Sequence, residues 1–145
     1  MSFKSIAIAA DHAGYDLKAK LAETLRGQGY EVLDLGTDDA TTSVDYPDFG
    51  KAVAEAVAGG KADGGVVVCG TGIGISIAAN RVPGARAALC HDITSARLSR
   101  EHNDANVLAL GARLIGEVAA MDTLNAFLNT EFAGDRHVRR VEKLG

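Results

Sequence analysis

Three short stretches of the chain hold residue types that do chemistry on small polar molecules. The first is Cys69-Gly70-Thr71-Gly72-Ile73-Gly74, where three alternating glycines follow an unbroken apolar run. At the point where a strand turns into a helix, such glycines expose backbone N–H groups and leave room for a ligand. Unsatisfied donors at a helix start stabilise a phosphate or a developing oxyanion, and the same field favours the thiolate form of Cys69. A thiolate beside oxyanion donors is what removal of a proton next to a carbonyl needs. The second stretch, Asp11-His12, offers a carboxylate and a polar ring to a sugar or a phosphate. The third, His102-Asn103-Asp104, offers an imidazole and an amide. Arg113, Arg136 and Arg140 are suited to a phosphate, because a guanidinium binds its oxygens in pairs.

Each of these also has a purely structural reading. The glycine stretch can be a tight turn holding an inert, half-buried Cys69. Asp11 can cap the helix that follows, worth about 1 kcal/mol, with His12 incidental on the surface. His102 suits a helix C-terminus, and Asn103 suits the left-handed residue that ends one. The arginines can form a solvated basic face. Nucleotide readings fail on spacing: Gly70-x-Gly72 lacks the third glycine of the dinucleotide fingerprint, and no Gly-Lys-Ser/Thr occurs for a Walker loop. A nicotinamide oxidoreductase falls with the fingerprint. The histidines at 12, 91, 102 and 137 show no metal-ligand spacing, so no metal is expected.

The elements that position these residues follow from periodicity. Apolar runs at Ile6–Ala10, Val32–Leu35, Gly64–Cys69, Arg86–Cys90 and Asn106–Leu110 have strand length. Between them lie helix-period segments, among them the Leu17, Leu21, Leu25 stripe ending at Gly27, and a helix opening at Tyr46-Pro47. Further helices are predicted after Gly72, over Asp92–His102 and Val118–Leu128, and in the tail carrying Arg136, Arg139, Arg140 and Lys143. Five βα units in succession predict an α/β fold: a doubly wound, Rossmann-like three-layer sandwich around a five-stranded parallel sheet, with strand order 2-1-3-4-5. A ligand then sits at the carboxyl ends of strands 1 and 3, where Asp11-His12 meets Cys69–Gly74. The His102 helix ends at the opposite edge of such a sheet, so a site using both Cys69 and His102 has to be shared between subunits.

Composition agrees with one domain spanning residues 1–145. Hydrophobic residues make up 47% and charged residues 23%, which excludes a disordered chain and a membrane-spanning one. The formal net charge of −4 supplies no overall basic field, so neither nucleic acid nor a membrane is an expected partner. Two cysteines without a secretory leader predict reduced thiols and a cytoplasmic setting.

Taken in order, these pieces closely resemble the ribose-5-phosphate isomerase B family, which includes allose- and galactose-6-phosphate isomerases. The resemblance runs from Ile6 to Arg140. It is carried by Ala10–Gly14, Asp45-Tyr46-Pro47, the run Cys69–Asn80, Arg100–Val107, Gly111-Ala112-Arg113 and Arg136–Arg140. The resemblance implies an aldose–ketose isomerase that needs no metal and no cofactor. It implies a phosphorylated sugar as substrate and a homodimer, which further pairing could extend to a tetramer, with the tail 131–145 reaching the shared site. By the same analogy Cys69 is the base, His102 opens the sugar ring, and Thr71 is counted with them as catalytic. Gly70, Thr71, Gly72, Ile73 and Gly74 would hold the enediolate oxygen with Asn103, while Asp11 and His12 contact the sugar phosphate. Arg113, Arg136 and Arg140 would take the phosphate, Arg139 being the alternative to Arg140. Tyr46, His91 and the loop 36–45 would line the pocket and set substrate length. A branch of the family uses a Glu as base at the position of Ile75; Ile75 takes no proton, which places this chain with the cysteine branch. A non-catalytic sugar-phosphate-binding module on the same fold is the alternative from another class.

Overall fold

Gly64-Gly65-Val66-Val67-Val68-Cys69 forms the central strand, and every residue in it is buried, as an unalternated β-branched run demands of a strand covered on both faces. The structure, a computed structural model, describes residues 3–145. Its strands are β1 (Ser5–Ala10), β2 (Glu31–Asp34), β3 (Gly64–Cys69), β4 (Ala87–Leu89) and β5 (Val107–Gly111). Its helices are α1 (Tyr15–Gly27), α2 (Tyr46–Ala58), α3 (Ile73–Ala79), α4 (Ile93–Asn103), α5 (Glu117–Leu128) and α6 (Arg136–Glu142). All strand pairs are parallel.

The strand order is 2-1-3-5-4, which corrects the expected 2-1-3-4-5. Burial gives the reason. Val107-Leu108-Ala109-Leu110-Gly111 is buried at every position, whereas Ala87-Ala88-Leu89 is only half-buried. The more apolar strand takes the interior place beside β3, and the shorter one goes to the edge. There the outward N–H and C=O of Ala87 are met by the Asn80 side-chain amide, at 2.8 and 3.0 Å. This single mimic of a peptide bond blocks pairing at the start of the edge strand.

Right-handed crossovers then fix the layers. One apolar layer joins Leu17, Leu21 and Leu25 of α1 with Ala96 of α4 and Leu124 and Phe127 of α5. The other joins Val53 and Val57 of α2 with Ile75 of α3. Because β4 lies outside β5, the chain turns back after β4, and α4 returns on the α1 and α5 side. Cys69 and Cys90 are both free and belong to opposite layers. No helix among the described residues is long and apolar enough to cross a membrane.

Candidate active site

At the carboxyl edge of the sheet Ala10 pairs with Val68, and Cys69 pairs with Gly111, so the turns after β1, β3 and β5 leave side by side. Asp11 is buried; its N–H donates to the Val68 carbonyl at 3.2 Å and its Oδ1 accepts the Gly14 N–H at 3.0 Å. That close approach requires glycine at 14, since a Cβ there would lie 2.5 Å from the Val68 oxygen. His12 Nδ1 accepts the Val44 N–H at 3.2 Å, which leaves Nε2 as the ring's donor. This bond draws the loop between β2 and α2 back over β1.

Cys69 is 4% exposed, and its Sγ accepts the Gly72 N–H at 3.2 Å. Gly72 can do this because it sits at φ +77°, where a Cβ would strike Leu89 and the Leu110 backbone. The Thr71 side chain is exposed, and its Oγ1 accepts the Ile73 N–H at 3.1 Å. Gly74 faces the Tyr46 ring so closely that a Cβ would lie 2.5 Å from it. The corrected strand order puts Arg113, and not His91, next to this turn. The Arg113 N–H donates to the Gly70 carbonyl at 2.9 Å, and its side chain lies over Gly70. His91 follows the edge strand, with β5 between it and Cys69. Its Nε2 is buried and has no hydrogen-bond partner.

The structure therefore gathers Asp11, His12, Tyr46, Cys69, Gly70, Thr71, Gly72, Ile73, Gly74 and Arg113 at one edge. His102 and Asn103 end α4 at the other. Ala105, where their turn enters β5, is six residues from Gly111 (111 − 105), or roughly 20 Å of extended chain. Asn103 lines a cleft there with Arg86 and Leu144. The left-handed residue that ends α4 is Asp104, at φ +46°, and not Asn103. Asp104 is held there by Arg100 at 3.0 Å on one carboxylate oxygen and Arg86 at 3.4 Å on the other. Arg136 and Arg140, both exposed, lie on α6 at this second end, where His137 stacks on His102. His137 was not singled out from the sequence: a histidine between arginines in a tail carries no signal of what its ring touches. The Val44 contact to His12 was equally hidden, because any residue supplies a backbone N–H. Among the described residues, no group of three or more His, Cys, Asp or Glu is placed to hold a metal ion.

A thiol, a row of glycine N–H donors and a polar first-strand turn, converging at the carboxyl edge of an open parallel sheet, define a Rossmann-like α/β protein with a small-molecule site. The chain belongs to the Ribose/Galactose Isomerase family, whose model matches residues 6–144, and is thus a sugar-phosphate isomerase. It is 48% identical to ribose-5-phosphate isomerase B of Escherichia coli, over 97% of this chain and 94% of that one. Ribose-5-phosphate isomerase B of Clostridium thermocellum superposes with a TM-score of 0.95 at 57% identity, over 97% and 95% of the two chains. The enzyme of Mycoplasma genitalium, solved with bound ribulose-5-phosphate, superposes with a TM-score of 0.93 at 40% identity, over 97% and 93%.

Proposed function

We propose that this protein interconverts D-ribose 5-phosphate and D-ribulose 5-phosphate through a cis-enediolate, with Cys69 as the base. The observation that carries this is the Gly72 N–H aimed at Cys69 Sγ from within a row of glycines. It supplies a donor to the thiolate and leaves neighbouring N–H groups for the oxygen on which charge develops.

Ribose 5-phosphate is mainly a closed ring, so the C1–O4 bond must break first. His102 takes the proton from the anomeric hydroxyl and delivers one to O4. The Cys69 thiolate then removes the C2 proton, and the C2–H electrons flow into the C1 carbonyl to give the enediolate. Backbone N–H groups of the Gly70–Gly74 turn other than those of Gly72 and Ile73, which Cys69 Sγ and Thr71 Oγ1 accept, hold the O1 oxygen together with the Asn103 amide. The thiol returns the proton to C1, while the hydroxyl proton passes from O2 to O1 with Thr71 at hand as carrier. Asp11 and His12 bind sugar hydroxyls and phosphate, and Arg113, Arg136 and Arg140 take the phosphate.

The two ends of the sheet enter this scheme together only if a second copy of the chain supplies His102, Asn103 and the α6 arginines. The separation of roughly 20 Å within one chain supports a homodimer with a shared site. The test is ketose formation from ribose 5-phosphate in EDTA, with allose 6-phosphate, galactose 6-phosphate and erythrose 4-phosphate in parallel. Preferential turnover of ribose 5-phosphate is the expected result. Preference for another sugar keeps the mechanism and changes the substrate, and binding without turnover of any would replace the enzyme with a binding module.

A further inference from the structure

His137 occupies an unusual position for a residue that the mechanism does not use. It lies on the first turn of α6, is 7% exposed, and its ring stacks on His102 with centroids 4.5 Å apart and planes 16° from parallel. The segment that leads into that helix is held to α4 by bonds independent of either histidine. The Ala133 N–H donates to the Glu101 carbonyl at 3.0 Å, and Arg100 Nε donates to the Thr130 carbonyl at 3.1 Å. Arg100 is itself buried, with its guanidinium over the Phe3 and Phe127 rings. The chain leading into α6 is thus fixed to the last turns of α4, and His137 is fixed behind His102.

From this geometry we infer that His137 is the positioning residue for His102: its ring sets the plane of the His102 imidazole and so the aim of the nitrogen that opens the sugar ring. A side chain at the end of a helix otherwise turns about two torsions, and an aromatic ring held face to face removes that freedom. Burial, with Arg136, His102 and Arg140 nearby, holds the His137 imidazole below its ordinary range, while Asp135 acts weakly the other way. A neutral ring suits a packing surface and does not repel a neighbouring imidazolium. Stacking is the only contact required, so the proposal needs the His137 ring and not its nitrogens.

The proposal rests on His102 opening the ring, and the experiment separates the two. Activity is measured on ribose 5-phosphate and on 4-deoxy-D-erythro-pentose 5-phosphate, which lacks O4 and cannot close a furanose. His137→Ala is expected to lower kcat on ribose 5-phosphate about tenfold, as a misaimed group does, and to change turnover of the ring-incapable sugar less than about twofold. His137→Phe restores the ring without the nitrogens and is expected to recover activity to within about threefold of wild type. In a His102→Ala background, His137→Ala should add no further loss. An inactive His137→Phe, equal losses on both sugars in His137→Ala, or full additivity with His102→Ala would overturn the proposal. Where His137→Ala fails to fold, His137→Gln, planar but without a ring, takes its place against Phe. Equal loss of both sugars in His102→Ala alone removes the ring-opening role first, and the positioning role with it.

Discussion

Gly70 and Gly72 stand two residues apart in one turn, yet an added methyl group has very different consequences at each. At Gly72 the backbone lies at φ +77°, and an ideal Cβ would be 2.5 Å from Leu89 Cδ1 and 2.8 Å from the Leu110 carbonyl carbon. The left-handed conformation costs Ala about 1 kcal/mol relative to Gly. The Leu89 tip can swing aside, but Leu110 belongs to the backbone of β5, which is hydrogen-bonded on both sides, so overpacking adds about 1–3 kcal/mol. Gly72→Ala is therefore expected to lose about 2–4 kcal/mol of stability. It should also lose most of its kcat, because relief of the clash moves the N–H that Cys69 Sγ accepts. At Gly70 the atoms nearest to a Cβ belong to the flexible Arg113 side chain, at 3.4 Å for both Cδ and Nη1. Gly70→Ala should stay within about 0.5 kcal/mol of wild type, as substitutions without such clashes do, and raise KM by shifting Arg113. Urea unfolding with fixed m-value, together with kcat and KM for both variants, makes the comparison. Equal destabilisation by the two substitutions would refute the reasoning.

Two further predictions concern the scaffold around the site. Lys18 is buried, and its ammonium donates to both Asp34 oxygens and to the Thr37 carbonyl, tying α1 to the loop that reaches His12. Asp34→Ala leaves one acceptor for a buried charge. It should cost about 2 kcal/mol by urea unfolding, below the ~3–5 typical of a fully buried pair because Asp34 is 35% exposed; no change would show that solvent replaces the carboxylate. Asp63 Oδ2 accepts the N–H groups of Lys4 and Ser5, and these bonds hold its carboxyl below the ordinary 3.8. Its contribution is present above pH 3.8 and is lost as pH falls through the lowered value. Asp63→Asn should flatten that part of the acid limb of a stability–pH curve, and an unchanged limb would count against it.

How far these features could be read in advance depends on whether they are local or paired. The β3 run and its glycine turn were legible because burial on both faces and a left-handed residue leave marks in residue type. So was the separation of His102 from Cys69, which follows from alternating βα units alone. The place of β4 was not, because sequential order was taken as spatial order. The Ala-only Ala87-Ala88 beside the fully apolar β5 was the available sign of an edge strand. The end of α4 was misread by one residue. Asn103 has the better propensity for a left-handed conformation, but Arg100, one turn earlier on α4, and Arg86, brought from the chain just before β4, pin Asp104 there. The stack of His137 on His102 joins residues on separate helices and leaves no periodic trace.

Transfer of the proton between C2 and C1 is the role proposed for Cys69. It is tested most directly by following ribose 5-phosphate labelled with deuterium at C2, with wild type and Cys69→Ala side by side. Loss of the label to solvent and ketose formation are read by NMR, and the affinity for ribulose 5-phosphate is measured by calorimetry. Cys69→Ala is expected to lose both label exchange and ketose formation by about a thousandfold, while ribulose 5-phosphate binds within about threefold of wild type. Label exchange in Cys69→Ala within about tenfold of wild type would contradict that role and assign the proton transfer to another group.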